Sequence, residues 1–522
     1  MPTAPVPLPP AEIIAAMRVI APPGQARPDA GTLAALRGLT RELVAATPGA
    51  ADEHARFLAI RDRQLPVPED ALTTRLNGAV ILVTGGTGCI GSALMTQLAA
   101  YRPARLVSVS RGTAYGYPRV PWAWYRENTD IRDRVLLDDL LRLIQPDIVF
   151  HVAAQRDPGL AETEVHRTVT TNVLGTRNVL AAAAEAGVAQ VVCASTGKAL
   201  RPYSPDIYTA SKRAAEWVTS QADWPVRVSA GRFTHVADNS IIYRRLHEWA
   251  AGRDGGAVRL HSDRIAFYVQ SAAESAQLLL AALLGGARGQ YRVNAISDLG
   301  WPVGLLDLAL GVLADTGSEA PVYFSGYDRG YEEIPFPGLY DPATAVDVSP
   351  LLNAFEAAAV VDSPCPGVDA FRADMAPGPG ADGLLATLER VCGWTENPDA
   401  VRGALDDLSW ALLNGTLRAA PRQALERAAA LARRHGGSLD TGHRRVLRAI
   451  EDHAADEILD LTRLDEILAR RRLFRYRLGD WACRTCDHDR AGHQHFRPGS
   501  DCGWCECRRW RPTLWPRRRY RW

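Results

Sequence analysis

The chain has 522 residues, of which 47% are hydrophobic, and its formal net charge is +1. A chain of this size and composition can bury a sizeable core in two or three domains, which argues against a disordered or fibrous protein. It has no run of about 18 apolar residues and no signal-peptide pattern at its N-terminus, so we expect a cytoplasmic protein without a membrane partner.

The N-terminal part of the chain is predicted to be helical. Residues 1–10 are rich in proline, and apolar side chains such as Ile13, Met17 and Leu36 then follow at helical spacing. We interpret residues 1–76 as a helical N-terminal preface.

From residue 79 onward, short apolar runs alternate with helical stretches. The runs are AVILVTGG, ARLVSVS, DIVFHVAA and AQVVCAST. Strands that are separated in this way by helices indicate βαβ units and a parallel sheet. The sequence therefore predicts an α/β fold over residues 77–350, a Rossmann-like doubly wound parallel sheet with a small substrate subdomain.

The amino-acid composition changes twice in the C-terminal part of the chain. A Pro- and Gly-rich linker, MAPGPGADG, leads into Ala- and Arg-rich sequence, which predicts a helical domain over residues 377–477. Residues 478–522 form a Cys-rich tail, and from residue 470 to the end the chain holds fifteen Arg and five acidic residues, a net charge of +10. The tail is thus basic, whereas the rest of the chain is acidic.

The cysteines of the tail have the spacing of a zinc ribbon. Two Cys-x2-Cys pairs are separated by fifteen residues, which lets four thiolates surround one Zn²⁺ tetrahedrally. The predicted zinc ligands are Cys483, Cys486, Cys502 and Cys505. Other donors, which leave a mixed ligand set or a second site open, are Cys507, His488, His493 and His495. A structural zinc is the simplest hypothesis, while the Arg- and Trp-rich flank leaves nucleic acid or an acidic protein open as a partner.

A glycine-rich turn joins the first predicted strand to a helix. Glycine permits a tight turn and a close approach of the backbone to a pyrophosphate, which then lies at the positive end of the helix. The predicted cofactor-binding residues of this turn are Gly85, Gly86, Thr87, Gly88, Cys89, Ile90 and Gly91.

The end of the second predicted strand bears on the choice of cofactor. A site selective for NAD usually has an acidic residue here, but this chain has Ser110 and Arg111. A guanidinium can pair with the 2′-phosphate of NADP, so we predict NADP and leave NAD open. Asp130 and Ile131 follow before the next helix, where the carboxylate could reach the adenine edge.

A third segment carries the candidate catalytic residues. It reads VVCASTGKALRPYSPDIYTASK and contains Thr196, Lys198, Tyr208 and Lys212. Residues four apart share one face of a helix, where the Lys212 ammonium would lower the pKa of the Tyr208 phenol for proton exchange with a substrate hydroxyl. Ser195 or Thr196 would hold the same substrate oxygen. Lys198 and Lys212 are the only lysines among 60 basic residues, which favours a chemical role for both.

Several motifs together resemble a known enzyme family. TGGTGCIG, TDIRD, PDIVFHVAA, TNVLGTRNVL, STGKA and YTASKRAAE are similar to the CapD-like polysaccharide biosynthesis branch of the extended short-chain dehydrogenases. The resemblance covers residues 77–350 and implies a UDP-N-acetylglucosamine 4,6-dehydratase or related epimerase with a nucleotide-sugar substrate. Within these motifs we expect Ala153, Ala154 and Asn172 to contact the cofactor together with Tyr208 and Lys212, and we expect a homo-oligomer.

The resemblance also implies a reaction, with one departure. Tyr208 would remove the proton of the sugar 4-hydroxyl during oxidation to a 4-ketone, and Lys198 would then take the proton at C5. Dehydratases of this branch have an aspartate between Thr and Lys that protonates the departing 6-hydroxyl, and here that residue is Gly197. Either Asp206 or His235 replaces this acid, or the enzyme stops at epimerisation or at oxidation and reduction.

A different class of function is the alternative hypothesis. A Rossmann unit could bind NADP without turnover and signal through the zinc tail, as a regulatory protein. The lost acid at Gly197 favours this hypothesis, and the intact set of Thr196, Lys198, Tyr208 and Lys212 argues against it.

Overall fold

The computed structural model describes residues 8–24, 27–112, 117–221, 224–327, 338, 349–356, 360–372, 380–434 and 441–457. Within these ranges the chain forms two compact units, and each contains segments that are distant in sequence. None of the helices in this part of the chain combines the length and apolar character that crossing a bilayer requires.

The described helices are, in chain order, α1 (Pro10–Ile20), α2 (Ala30–Ala46), α3 (Ala50–Ala59), α4 (Glu69–Leu76), α5 (Cys89–Ala100), α6 (Arg134–Ile144), α7 (Pro158–Thr163), α8 (Val165–Val169), α9 (Gly175–Glu185), α10 (Ile207–Ser220), α11 (Ile241–Ala250), α12 (Ala272–Leu284), α13 (Leu305–Thr316), α14 (Ala381–Trp394), α15 (Pro398–Ala419), α16 (Arg422–Arg434) and α17 (Thr441–Glu457). The described strands are β1 (Val80–Thr84), β2 (Arg105–Val109), β3 (Trp124–Arg126), β4 (Ile148–His151), β5 (Gln190–Thr196), β6 (Arg227–Phe233), β7 (His235–Val236), β8 (Val258–Leu260), β9 (Ala266–Phe267), β10 (Val269–Gln270), β11 (Arg292–Ile296), β12 (Val303–Gly304), β13 (Val322–Phe324), β14 (Val360–Val361) and β15 (Val368–Arg372).

The first unit combines the described residues that lie within 1–63, 234–272 and 300–333. Its core joins Phe57 of the N-terminal helices to apolar side chains of α11 and α13. His54 of α3 lies 2.5 Å from a carboxylate oxygen of Asp315 and 2.9 Å from the Tyr243 hydroxyl. The N-terminal helices therefore share a core with two later segments of the predicted 77–350 unit and do not stand alone as a preface.

The second unit contains a nine-stranded sheet of order β14-β15-β11-β6-β5-β4-β1-β2-β3. Strands such as β1 and β5 are buried along nearly their whole length and rich in β-branched residues, as expected for a sheet covered on both faces. Seven of the nine strands pair in parallel, which confirms the predicted Rossmann-like architecture.

The prediction of a wholly parallel sheet is wrong at one edge. β15 pairs antiparallel with β11, and β14 pairs antiparallel with β15. Only residues 362–367 connect β14 to β15, and a connection this short permits antiparallel pairing alone, since a parallel crossover needs about a dozen residues or more. The sheet is therefore mixed and mostly parallel.

The strand order reverses around β1, because β2 lies on one side of it and β4 on the other. In open α/β sheets, a crevice forms beyond the carboxyl ends of the strands at such a reversal. The glycine-rich turn after β1 and the loop after β4 both lie at this edge.

Candidate active site

The glycine-rich turn packs too tightly for side chains at three of its positions, Gly85, Gly86 and Gly91, and at Gly85 and Gly91 the closest atoms belong to the backbone. Gly85 has a φ of +74°, and a Cβ atom there would lie 2.8 Å from the backbone nitrogen of Ala153. A Cβ atom at Gly91 would lie 2.1 Å from the carbonyl oxygen of Gly85. Gly88 lies directly before α5 and forms no side-chain cap hydrogen bond, and the N-terminus of a helix favours an anion. The turn thus fits the predicted pyrophosphate site.

The loop after β4 is fixed by two buried polar side chains. The hydroxyl of Thr84 accepts the backbone N–H groups of Val152 and Ala153 at 3.1 and 3.2 Å. Asn172 lies in a π-helical turn, where its side-chain oxygen accepts the N–H of Gln155 at 2.8 Å and its NH₂ group donates to Ser211 at 3.0 Å. Asn172 was predicted to contact the cofactor, and in the structure its amide joins this loop to α10. Ala154 lies half-buried in the same loop.

The end of β2 holds the groups predicted to select the cofactor. Arg111 is exposed, and the buried hydroxyl oxygen of Ser110 has no hydrogen-bond partner in the described part of the chain. Burial raises the pKa of Asp130, but hydrogen bonds from Arg132 outweigh it, so that the net pKa is lowered. Those bonds, from the backbone N–H and the guanidinium, occupy both carboxylate oxygens. Ile131 is buried against Gly175 and is therefore a packing residue.

The candidate catalytic tyrosine lies in the first turn of α10. Tyr208 is 9% exposed, and burial raises the pKa of its phenol to about 12, while a side-chain hydrogen bond with Thr196 and the charge of Arg156 act in the lowering direction. Thr196 ends β5, so the strand end and the helix start bring the two hydroxyl groups together. Ser195 instead donates to Glu216 at 2.5 Å, which identifies Thr196 as the hydroxyl next to Tyr208.

Lys212 lies one helical turn after Tyr208 and is 7% exposed. Its ammonium donates to the carbonyl oxygen of Ala194 at 3.1 Å. Burial lowers the pKa of Lys212, and Glu216 and Cys193 partly oppose this shift. Desolvation outweighs the lowering influences at the Tyr208 phenol, and a lowering of this pKa by Lys212 stays a prediction. Lys198, in the 3₁₀ turn Gly197–Leu200, is half-buried, and its N–H donates to the Thr196 hydroxyl at 3.3 Å.

The space next to Gly197 is occupied by an apolar side chain. A Cβ atom at Gly197 would lie 2.9 Å from Cδ2 of Leu351, which is 5% exposed. The sequence shows that glycine replaces the aspartate of the dehydratases at residue 197. The structure adds that Leu351 occupies the space into which an aspartate side chain would extend.

Neither predicted substitute for this acid is arranged to donate a proton. Asp206 caps α10 by accepting the N–H of Thr209 at 2.8 Å, and it also receives Arg201 at 3.3 Å and the hydroxyl of Ser204. His235 belongs to the first unit, where burial lowers the pKa of its imidazole to about 4. An imidazole with this pKa is neutral at pH 7 and is a poor proton donor.

A buried ionic network supports α10 from behind, and sequence reasoning did not find it. Arg232 of β6 is 0% exposed and forms paired hydrogen bonds of 2.7 to 2.8 Å with both Glu216 and Glu356. Its Nη1 also donates to the carbonyl oxygen of Leu351 at 3.1 Å. In so Arg-rich a chain, one more arginine gives no signal, and Glu356 lies beyond the predicted end of the catalytic unit.

No group of three or more potential ligands that could hold a metal ion occurs in the described ranges. The four predicted zinc ligands Cys483, Cys486, Cys502 and Cys505 lie outside these ranges, so the zinc ribbon stays a prediction.

Comparisons with known proteins agree with the geometry of the site. Residues 81–332 match the family model described as polysaccharide biosynthesis protein. The probable polysaccharide biosynthesis protein EpsC of Bacillus subtilis is 27% identical over 285 residues, which cover 50% of this chain and 46% of EpsC. The capsular polysaccharide biosynthesis protein CapD of Staphylococcus aureus is 28% identical over 291 residues, covering 52% of this chain and 47% of CapD. The chain thus spans about half the length of these two relatives.

Two further similarities concern an enzyme and a solved structure. A UDP-N-acetylglucosamine 4,6-dehydratase (inverting) of Campylobacter jejuni is 27% identical over 210 residues, which cover 39% of this chain and 56% of the dehydratase. The X-ray structure of Pen from Bacillus thuringiensis aligns with a TM-score of 0.48 at 18% identity, and covers 58% of this chain and 90% of Pen.

Proposed function

We propose that the chain is an oxidoreductase that acts on a nucleotide-diphosphate sugar through a 4-keto intermediate. Residues 81–332 match the family model described as polysaccharide biosynthesis protein, and the relatives of this region include a nucleotide-sugar dehydratase and a nucleotide-sugar epimerase. The observation that carries the proposal is the pairing of the buried Tyr208 phenol with the Thr196 hydroxyl where β5 ends. The proposed substrate is a UDP-sugar, because the relatives include a UDP-N-acetylglucosamine 4,6-dehydratase and a UDP-glucose 4-epimerase.

The residues at the carboxyl edge of the sheet fit a nicotinamide dinucleotide. The turn at Gly85 and Gly91 would hold the pyrophosphate, and Ser110 and Arg111 would meet the adenosine ribose. When bound, the cofactor supplies reversible hydride transfer at the sugar carbon. Because Arg111 is an exposed cation with no acidic residue beside it in sequence, we propose NADP as the preferred form.

The cofactor preference is tested by replacing Arg111 with alanine. We expect affinity for NADP to fall by about tenfold, as for the loss of one charge-assisted hydrogen bond, and affinity for NAD to change little. Titration calorimetry with both nucleotides measures this difference. Equal losses for NAD and NADP would show that Arg111 does not contact a 2′-phosphate.

The chain's own residues perform the proton transfers of the proposed reaction. Tyr208 accepts the proton of the sugar 4-hydroxyl while Thr196 donates a hydrogen bond at the same oxygen, and the C4 carbon loses its hydride. The resulting ketone acidifies the C5–H bond, and Lys198 takes the C5 proton. Lys212, which donates to the carbonyl oxygen of Ala194, would also donate to a ribose hydroxyl of the cofactor.

We propose that this reaction ends without loss of the 6-hydroxyl. Leu351 fills the space beside Gly197, Asp206 is engaged in a helix cap and an ion pair, and His235 is a poor donor. Lys198 can return the proton to the same face of C5, or water can deliver one to the opposite face while Lys198 releases its proton to solvent. Reduction of the ketone then gives the starting sugar or an epimer. Loss of a positioned general acid typically costs about 10² to 10⁴ in rate, which is enough to make elimination the minor path.

One experiment tests the function and its outcome together. The purified full chain is incubated in heavy water with UDP-N-acetylglucosamine and either NADP or NAD, and the products are analysed by mass spectrometry and NMR. We expect deuterium at C5 and no dehydrated product with the unchanged chain, and no deuterium at C5 with Tyr208→Phe. The same incubation is repeated with a panel of other UDP-sugars. If none of them shows isotope exchange or product, the proposed enzyme is excluded and the NADP-binding regulator is favoured.

A further inference from the structure

The C-terminal helix α15 packs along two helices of the sheet unit, α8 and α10. α10 carries Tyr208 and Lys212, and the segment before it, residues 201–206, connects Tyr208 to the turn that carries Lys198. The segment is thus preceded by Lys198, the proposed base for the C5 proton, and followed by Tyr208, the proposed base for the 4-hydroxyl. Contacts between α15 and this segment can therefore fix the distance between the two bases.

The first contact lies at the start of α10. A guanidinium nitrogen of Arg402 on α15 is 3.0 Å from Oε2 of Glu162, whose side chain is 7% exposed. Oε1 of Glu162 accepts the backbone N–H of Ile207 at 2.8 Å. This N–H is one of the amides that a helix cannot satisfy internally, and it belongs to the residue directly before Tyr208. Arg402 thus forms an ion pair with the carboxylate that accepts the first backbone N–H of α10.

The second contact lies in the middle of the connecting segment. Tyr203 is 2% exposed, and its hydroxyl donates to Asp406 of α15 and accepts from Arg445 of α17. The ring of Trp410 meets the Tyr203 ring edge-on, with 5.7 Å between the centroids. Arg445 also lies 3.3 Å from Asp406, so all three polar groups are satisfied together.

We propose that α15 is a built-in brace for the active site, in which Arg402 and Tyr203 are positioning residues for Tyr208 and Lys198. The proposal rests on the function proposed above. It follows from the anchoring of the segment at Tyr203 and Ile207 by side chains of α15 and α17, outside the matched family region of residues 81–332. Reacting groups that are displaced by about 1 Å can lose on the order of 10²-fold in rate, so such anchors bear directly on turnover.

The kinetic test compares two equivalent substitutions on the same helix. Arg402→Met removes the contact with Glu162, whereas Arg418→Met removes an exposed guanidinium that lines the same cavity of about 730 Å³ as Asp406 and Arg445. We expect Arg402→Met to lower kcat by about ten- to a hundredfold with KM within about twofold, because proton transfer is disturbed while substrate contacts are not. Arg402→Lys should recover most of the loss, and Arg418→Met should resemble the unchanged chain.

A substrate-independent measurement separates the brace from the function. Hydrogen–deuterium exchange of the full chain should be faster across residues 201–208 in Arg402→Met and Tyr203→Phe, and unchanged there in Arg418→Met. Tyr203→Phe keeps the ring on Trp410 and so serves as the second variant if Arg402→Met does not fold. Exchange in both variants equal to that of Arg418→Met would overturn the brace. If the unchanged chain turns over no nucleotide sugar while exchange still rises, the proposed function fails and the brace stands.

Discussion

At the scale of single residues, the phenol of Tyr208 sets the main constraint on the chemistry. Burial raises its pKa to about 12, whereas a base that works near neutral pH needs a pKa near the operating pH. The hydrogen bond with Thr196 is the largest influence in the opposite direction. The free chain therefore holds Tyr208 as a neutral phenol, and its proton leaves only when charges near the bound substrate favour the phenolate.

This gives a prediction for the pH dependence. The deprotonated phenol is the active form for alcohol oxidation, so kcat/KM should rise by about tenfold per pH unit between pH 7 and 9. Thr196→Val removes a hydrogen bond that lowers the pKa of Tyr208, and the profile should therefore shift to higher pH. Thr209→Val is the matched control, because the buried Thr209 hydroxyl has no partner in the described residues. A shift of equal size in both variants would contradict the role given to Thr196.

A second prediction at this scale concerns Gly197 and Leu351. Gly197→Asp should destabilise the chain by about 1–3 kcal/mol, since a Cβ atom there lies 2.9 Å from Leu351 and must displace it. Adding Leu351→Ala makes room, so the double variant should be more stable than the sum of the two single changes indicates. Urea unfolding measures the three variants. Additive losses would show that Leu351 does not limit this position.

The same double variant tests the reaction outcome. A carboxyl group at residue 197 would stand between Thr196 and Lys198, as in the dehydratases that the motif resembles. We expect some dehydrated product from Gly197→Asp/Leu351→Ala and none from Leu351→Ala alone, with mass spectrometry as the readout.

At the scale of helices and strands, Arg232 joins two consecutive elements, α10 and β6, to a segment more than a hundred residues further along the chain. Its guanidinium binds Glu216 on α10 and Glu356 in the segment 349–356, and it lies on β6. Burial raises the pKa of Glu216, but the Arg232 charge outweighs burial, and the net pKa is lowered. A carboxyl group with a lowered pKa stabilises the folded chain above the ordinary glutamate range, and this contribution is lost as the pH falls through the lowered value.

Arg232→Met is expected to cost about 3 kcal/mol in unfolding free energy, because two buried carboxylates lose their paired hydrogen bonds and keep the more distant Arg213, 3.9 Å from Glu216 and 3.6 Å from Glu356. Arg227→Met is the control, since Arg227 lies on the same strand but is only half-buried. Urea unfolding at pH 7 should show a large loss for Arg232→Met and a small one for Arg227→Met. A loss below about 1 kcal/mol for Arg232→Met would show that the network contributes no more to stability than an exposed ion pair does.

The sequence predicted the elements whose local pattern is strong and missed those that depend on distant contacts. The apolar runs at AVILVT, ARLVSVS, DIVFHVAA and AQVVCAST correspond to β1, β2, β4 and β5. β14 and β15 were not predicted, since short edge strands carry little periodic signal. The positions of Tyr208 and Thr196 follow from a local motif, whereas Leu351 reaches Gly197, and Glu356 reaches Arg232, from more than a hundred residues away. No local pattern could show that Leu351 fills the space at Gly197.

At the scale of the whole molecule, each compact unit is built from segments that are not consecutive in sequence. Residues 1–63 share a core with residues 234–272 and 300–333, while residues 380–434 pack in the same unit as the sheet. Helical periodicity predicts that α1 to α3 exist, but it cannot identify their packing partners, because an apolar stripe fits many surfaces. The expected homo-oligomer stays a prediction.

The last prediction concerns the tail and uses the full chain. If the two Cys-x2-Cys pairs form a zinc ribbon, protein purified without added metal should contain one zinc per chain by elemental mass spectrometry. Cys483→Ser with Cys486→Ser should abolish this zinc, because two of four thiolates are lost. Cys507→Ser is the matched control, since it removes a cysteine of the same tail that the spacing leaves out of the ligand set. Loss of zinc with Cys507→Ser would replace the four-cysteine site by a mixed one, and chain without zinc would exclude the ribbon.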